Sequence, residues 1–303
     1  MSAGAVTLRR GARRRAAPDP VRAAGATRRM TGTEPLQPQE LVITLLGTYV
    51  RPFGDRVWSG GLVLLLGELG FSTGAARVAL TRLVRRGLIV RERAGRLVHY
   101  RVTSRCDWVL DEGDGRIFSL GDRPADASRW TVLWHHIPEA RRLERSRLSR
   151  RLRFLGFGSM QDSVWVSPHD HSQEVIGLLD QLGVSEFATL FVAEVGAAAG
   201  LRALVSRAWD LSGLVERYEA FQREFARVPR ARARAGLSDA EAFLVRTRLV
   251  HRFRAFPRLD PELPEELAPL SRARSRAVAT FHALYEGLAE PSQRHFELVT
   301  TAP

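Results

Sequence analysis

Apolar residues between positions 38 and 86 recur at helical spacing in three successive segments. The first segment, residues 38–51, has one apolar stripe and ends just before a proline. The second runs from about Ser59 to Leu69. The third runs to about Arg86 from Ser72, whose hydroxyl can accept a hydrogen bond from a free backbone N–H of the first turn. These segments predict three helices.

The spacing then changes to the alternation that is typical of strands. Ile89-Val90 begins a strand, Ala94-Gly95 forms a tight turn, and residues 97–102 return as a second strand. Three helices followed by a basic hairpin, all within about 65 residues, describe a winged helix-turn-helix. The sequence therefore predicts this DNA-binding domain over residues 37–105.

The rest of the chain combines strands with helices. Residues 128–200 alternate three predicted strands with two predicted helices, a pattern typical of a small ferredoxin-like unit. Residues 201–303 have helical spacing interrupted by prolines. The predicted class is α+β, with an N-terminal winged helix-turn-helix, a central ferredoxin-like domain and a C-terminal helical domain for effector binding and dimerisation.

Two segments lack an apolar period. Residues 1–36 hold eight arginines and many small residues, too little apolar surface to offset the entropy of ordering, so they predict a disordered basic tail. Residues 106–127 are rich in Asp and Gly. They predict a linker with at most one short helix or strand.

The positive charge is concentrated at one end of the chain. All 46 basic residues are arginine, and the formal net charge is +13. Residues 1–105 hold 19 arginines and six acids, whereas the remainder holds 27 of each. A one-sided positive field attracts polyanions, among which nucleic acid is the most common in a cell.

Composition also limits the cellular setting. No apolar run approaches the roughly 20 residues of a membrane-spanning helix. The single cysteine, Cys106, has no partner within the chain for a disulfide. We therefore expect no contact with a membrane and a reducing, cytoplasmic environment.

One face of the third predicted helix has the residue types of a DNA-recognition surface. Arginine there can donate two hydrogen bonds to a guanine edge, threonine can contact bases or phosphate, and glycine permits close backbone approach. A solvated polar face is the alternative, but the neighbouring elements and the +7 charge of residues 40–105 favour DNA. The predicted DNA-binding residues of this segment are Ser72, Thr73, Gly74, Arg77, Val78, Thr81 and Arg82.

The tip of the predicted hairpin is also basic. Arg93 and Arg96 lie where a wing crosses the DNA backbone or the minor groove. Charges that only keep an exposed hairpin soluble are the alternative explanation. We expect Arg93 and Arg96 to contact DNA without reading its sequence.

Several runs of residues, spread over about 40–300, match a known family. They are Leu41 to Val50, Val57-Trp58-Ser59, Arg77 to Gly87, Tyr100 to Thr103, Arg129-Trp130, Trp209-Asp210-Leu211, His251 to Arg254 and Phe256 to Pro264. In these runs the chain resembles the PaaX family of transcriptional repressors. The resemblance implies a dimeric winged-helix regulator with a ferredoxin-like middle and a helical C-terminal module. The best-known members repress phenylacetate catabolism genes and leave DNA when phenylacetyl-coenzyme A binds.

An acyl-coenzyme A effector would bring phosphates and an apolar end. The predicted helix at 139–155 holds seven arginines, of which Arg141 and Arg145 are candidate phosphate partners. Trp134 on the preceding strand is a candidate for the apolar end. A solvated helix face, a second DNA contact and an ordinary core tryptophan are the alternatives.

Enzyme functions find little support. The middle unit also resembles the fold of small CRISPR-adaptation nuclease-like proteins, but His135 to Pro138 stand where a metal-binding carboxylate would be needed. His169-Asp170-His171 lacks evident further ligands. We predict no catalytic residues, no metal and no cofactor, and keep a ferredoxin-like metal-dependent phosphodiesterase or a protein-interaction module as the alternative function.

These patterns together predict a sequence-specific transcriptional repressor of a phenylacetate-like catabolic operon. We expect a homodimer bound to double-stranded DNA at a palindromic operator. A small-molecule effector, phenylacetyl-coenzyme A or another acyl-coenzyme A, would release it. Arg77 must then be exposed in the folded chain.

Overall fold

The computed structural model describes residues 36–122, 129–161, 163–194, 200–228, 236–268 and 270–302. The predicted basic tail, except for Leu36, lies outside the described residues, as does the end of the predicted linker. Helices and two small antiparallel sheets confirm the predicted α+β class.

The N-terminal part places three helices against a three-stranded sheet. The helices are α1 (Pro38–Leu45), α2 (Ser59–Glu68) and α3 (Thr73–Arg85), and the strands are β1 (Arg56–Trp58), β2 (Ile89–Ala94) and β3 (Leu97–Val102). The strand order is β1-β3-β2, with both pairs antiparallel. The sequence did not predict β1, because three residues are too few to establish an alternation.

Helix α1 continues as a π-helical segment, Leu46–Val50. Such wide turns are rare and often lie at functional sites. Leu41, Leu45 and Leu46 are fully buried and face the core that α2 and α3 complete. The predicted apolar stripe of the first helix is thus the side that α1 buries.

The predicted linker at 106–127 is wrong in its local structure, because the chain forms a fifteen-residue helix there, α4 (Ser104–Phe118). The Thr103 hydroxyl caps it by accepting a hydrogen bond from Cys106 N–H (3.2 Å). Cys106 and Leu110, four residues apart, are buried. Acidic residues of α4 form ion pairs with Arg51 and Arg151, and these tertiary contacts outweigh the weak helix propensity of its glycines.

The central part follows the order strand, helix, strand, strand, helix, strand. Its strands are β4 (Arg129–His135), β5 (Gly158–Gln161), β6 (Val164–Ser167) and β7 (Ala188–Glu194), and its helices are α5 (Arg142–Phe154) and α6 (Ser172–Leu182). All neighbouring strands are antiparallel, in the order β5-β6-β4-β7. Strand β5 was not predicted, because its sequence, Gly-Ser-Met-Gln, has neither β-branched residues nor an apolar alternation.

The two faces of this sheet belong to different cores. Leu133 on β4 packs in one core with residues of α5 and α6. Trp130 on the same strand packs in another core, with C-terminal residues such as Val205 and Phe253. Because side chains alternate along a strand, β4 connects both cores.

The C-terminal part consists of helices. They are α7 (Leu201–Ala208), α8 (Leu211–Phe225), α9 (Asp239–Phe253), the short α10 (Phe256–Leu259), α11 (Ser271–Gly287) and α12 (Ala289–Thr300). Inside this part, the buried Asp260 carboxylate accepts hydrogen bonds from the Tyr218 hydroxyl and from two guanidinium nitrogens of Arg274, each at 2.7 Å. A buried negative charge is thus paired and hydrogen-bonded.

One apolar core joins the N-terminal and C-terminal helices. The Tyr49 ring stacks on Phe296 (centroids 5.2 Å apart) and packs against Phe243 (5.3 Å). On α2, Gly61 allows a close approach of α12, since a Cβ there would lie 2.6 Å from the Thr300 Cα. The N-terminal helices therefore pack directly against the C-terminal helices through one shared core.

The buried ion pair gives a prediction about stability. Asp260→Ala leaves the Arg274 charge buried without a counterion, which we expect to lower the free energy of unfolding by about 3–5 kcal/mol. Asp239→Ala is the matched control, because it breaks an exposed ion pair with Arg294 and should change stability far less. Urea denaturation measures both, and equal losses would contradict the interpretation.

Candidate nucleic-acid interface

Helix α3 is built so that one side faces the core and the other faces solvent. Ser72 caps the helix by accepting a hydrogen bond from Ala75 N–H (3.2 Å). Ala76, Leu80 and Leu83 lie on the buried side. The opposite side is therefore fixed in orientation by the packing of the domain.

The structure exposes every residue that the sequence analysis assigned to DNA contact on α3. Val78 is 50% exposed, so its side chain is accessible on this face. A Cβ added to Gly74 would meet only the Ser72 hydroxyl oxygen, at 3.9 Å, so the first turn is open to close approach. The exposed residues are Ser72, Thr73, Gly74, Arg77, Val78, Thr81 and Arg82.

Two of these side chains have local hydrogen bonds that limit what they can do. The Ser72 hydroxyl is engaged as the helix cap. The Thr81 hydroxyl donates to the Arg77 carbonyl oxygen (2.9 Å), so its proton is already engaged. Arg77 and Arg82 are thus the principal hydrogen-bond donors of this face.

The β2–β3 hairpin carries a second set of exposed arginines. Gly95 and Arg96 form its two-residue turn, and Gly95 has a φ of 62°, the left-handed conformation that glycine adopts easily. Arg93 and Arg96 are both exposed. Glu92 forms an ion pair with Arg101, so the acid nearest to the tip is already neutralised.

Seven exposed arginines follow one another along α3, its C-terminal end and the hairpin, with no acid between the first six except Glu92. We call these seven arginines the cationic surface. In the part of the chain that the structure describes, none of them has an ion pair with a carboxylate. Sequence reasoning gave Arg85, Arg86 and Arg91 no DNA-contact role, although the lack of any acid between Glu68 and Glu92 was a signal for them. The cationic surface comprises Arg77, Arg82, Arg85, Arg86, Arg91, Arg93 and Arg96.

The three predicted effector residues each have separate local surroundings. Trp134 is 50% exposed, on the sheet face opposite to Leu133 and α5. Arg141 donates to the Gly183 carbonyl oxygen and lies over the Phe187 ring. Arg145 forms an ion pair with Glu139 (2.6 Å). Their role in effector binding stays a prediction.

Three histidines of the central part have structural partners. His171 Nδ1 bonds to Glu174 (2.7 Å), and His169 Nε2 bonds to the Pro261 carbonyl oxygen (3.0 Å). His135 accepts a hydrogen bond from the Trp165 indole N–H (3.3 Å), and burial lowers the pKa of this histidine. Within the described ranges, no group of three or more His, Cys, Asp or Glu side chains could hold a metal ion.

The search for membrane segments gave a negative result for the same part of the chain. None of its helices has both the length and the apolar composition needed to cross a bilayer.

Three family models match the chain in succession. The model described as "PaaX-like protein" matches residues 37–106, "PaaX protein central Cas2-like domain" matches 123–205, and "PaaX-like protein C-terminal domain" matches 209–298. Together these matches extend over most of the chain.

Two individual proteins are similar over most of their length. The transcriptional repressor PaaX of Escherichia coli (strain K12) is 30% identical over 263 residues, 84% of this chain and 81% of that protein. The solved structure of the uncharacterized protein Rv0674 from Mycobacterium tuberculosis gives a TM-score of 0.51 at 21% identity, over 85% of this chain and 97% of that chain. The first similarity confirms the prediction of a transcriptional repressor and not of an enzyme. The second similarity concerns the fold alone.

Proposed function

Because this chain belongs to the PaaX family, we propose that it is a transcriptional repressor that binds double-stranded DNA through α3 and the β2–β3 hairpin. The observation that supports this most is the cationic surface, whose arginines are exposed and unpaired within the described residues. Unpaired arginines repel one another in the free protein, and a polyanion relieves that repulsion.

The proposal assigns a role to each part of the fold. Residues 37–105 act as a winged helix-turn-helix, with α3 entering the major groove and the hairpin crossing the backbone. The central part acts as a ferredoxin-like domain, which its strand order β5-β6-β4-β7 supports. Residues 201–303 serve effector binding and dimerisation.

The regulated genes follow from the named relative and from the family resemblance. We propose that the protein represses a phenylacetate-type catabolic operon in the cytoplasm and that an acyl-coenzyme A effector releases it. A homodimer would place two copies of α3 on a palindromic operator. The centres of its half-sites would be one or more helical turns apart, at about 34–36 Å per turn. The phosphodiesterase alternative is not favoured, because the relative from Escherichia coli is a transcriptional repressor.

Footprinting tests the function itself. Purified protein should protect a palindromic site in the promoter region beside its own gene at low ionic strength, and protection should weaken as salt is raised. The absence of any protected palindrome across a range of salt would instead favour a protein-interaction module.

Arginines on α3 should determine sequence preference. Arg77→Ala or Arg82→Ala should weaken binding to the operator by about 1–3 kcal/mol and reduce discrimination against base-substituted operators. Fluorescence anisotropy with matched duplexes measures both effects. Arg248→Ala on α9, an exposed arginine outside the cationic surface, is the control. Unchanged operator affinity in both α3 variants would refute the assignment of α3.

Arginines of the hairpin should act differently. Arg93→Gln and Arg96→Gln should weaken operator and non-operator duplexes alike, because phosphate contacts contain no sequence information. Each substitution should also reduce the slope of log affinity against log salt by about one. A selective loss on the operator alone would show that the hairpin reads bases.

A further inference from the structure

A cavity lies where the N-terminal helices, α4 and the C-terminal helices meet. Its volume is about 140 Å³. Its walls come from α1 and the π-helical segment, from α4, from Phe154 on α5, and from the C-terminal helices α9, α10 and α11. Apolar groups dominate the lining and include Ile43, Leu110, Ile117, Phe154 and Phe281.

The size of the cavity limits the ligand. An apolar cavity of roughly 150 Å³ in another protein binds benzene, so a space of this volume accommodates a single aromatic ring or a short branched acyl chain. The rings of Phe118, Phe154 and Phe281 in the wall can pack against such a group. A larger ligand would have to leave the rest of its structure outside.

The remaining charged groups around the cavity are mainly positive. Arg254 and Arg258 both line it, and Arg258 is exposed with no ion pair within the described residues. Burial lowers the pKa of Arg254, and Arg258 lowers it further, whereas Glu40 raises it. Arg116 also lines the cavity and donates to the Pro257 carbonyl oxygen, and the one acid among the described lining residues, Asp114, is paired with Arg51. A ligand anion would therefore meet more positive than negative charge in the wall.

One of these arginines connects the cavity to α1. The Arg254 guanidinium donates to the Glu40 carbonyl oxygen (2.9 Å) and to the Thr44 hydroxyl (3.1 Å). Helix α1 in turn packs directly against α3. An anion that took hydrogen bonds from Arg254 would therefore compete with α1, and α1 supports the proposed recognition helix.

We propose that this cavity is the regulatory site, and that it binds an organic anion whose single ring or short branched acyl group enters the apolar space while its anionic group bonds to Arg254 and Arg258. Occupancy shifts α1, and with it α3, relative to the C-terminal helices. This inference rests on the proposed function, since it regulates DNA binding. It places the effector at a site other than Trp134, Arg141 and Arg145.

Two sources can supply this ligand chemistry, a free aromatic carboxylate and its coenzyme A thioester. The probes are therefore phenylacetate, phenylacetyl-coenzyme A and coenzyme A alone, each titrated calorimetrically into the full chain. Binding of phenylacetate identifies the carboxylate as the anion. If the thioester binds and phenylacetate does not, the phosphates of coenzyme A are identified as the anion. If neither ring-containing probe binds at millimolar concentration, the proposal is overturned.

A cavity-filling variant tests the location. Gly113 lines the cavity and a Cβ there meets no atom within 4 Å, so the side chain of Gly113→Leu should take up part of the cavity and raise the Kd of the binding probe at least tenfold. Gly115→Leu is the matched control, because Gly115 lies in the same helix, is equally unobstructed and does not line the cavity. Circular dichroism checks that both variants fold.

Four further outcomes separate the possibilities. Arg258→Gln should weaken the binding probe several-fold. Gly113→Leu should bind operator DNA as the natural chain does but should not be released by the probe. If Gly113→Leu keeps full probe affinity while Trp134→Ala or Arg145→Ala loses it, the cavity is not the regulatory site, and the proposed repressor function is unaffected. Loss of DNA binding by the natural chain itself would instead refute the proposed function.

Discussion

The junction of the N-terminal helices with the C-terminal helices is centred on Tyr49, whose ring packs between Phe243 and Phe296. Tyr49 is fully buried, its hydroxyl bonds to Thr247 (3.1 Å), and burial raises its pKa. Together with the close approach of Gly61 to Thr300, this side chain joins the N-terminal helices to α9 and α12. Because tightly packed interiors are bistable and do not deform continuously, the N-terminal helices can move only by exchanging this packing for another defined arrangement.

The distribution of ion pairs explains why the cationic surface stays unpaired. Several acids near the N-terminal part are engaged elsewhere: Glu68 bonds to His295 (2.8 Å), Glu92 pairs with Arg101, and three acids of α4 pair with Arg51 and Arg151. The arginines of α3 and the hairpin have no acid within reach in the described part of the chain. Their mutual repulsion opposes folding slightly, a cost that is understandable if a polyanion is the partner.

Local sequence patterns predicted the helices and strands in which apolar residues recur at a regular spacing. The three N-terminal helices, the β2–β3 hairpin and the exposed side of α3 followed from apolar spacing and from one glycine turn. Helix α4 could not be predicted, because its stability comes from ion pairs with Arg51 and Arg151, which are distant in sequence. Strands β1 and β5 exist because they pair with β3 and β6, and the cavity exists because three separate parts of the chain meet there. No local pattern contains such contacts.

The binding free energy of a small ligand indicates which of its contacts can shift the equilibrium between two arrangements of the protein. Moving a two-state equilibrium from 1:99 to 99:1 takes about 5.5 kcal/mol of difference in binding between the two states. Burying one ring contributes about 1.5–3 kcal/mol, as for a phenylalanine side chain, and only part of that differs between two arrangements. The apolar space therefore supplies affinity but not enough selectivity. The remainder has to come from a charged contact made in one arrangement only. Arg254 lines the cavity and donates its hydrogen bonds to α1, so it is placed to make that contact.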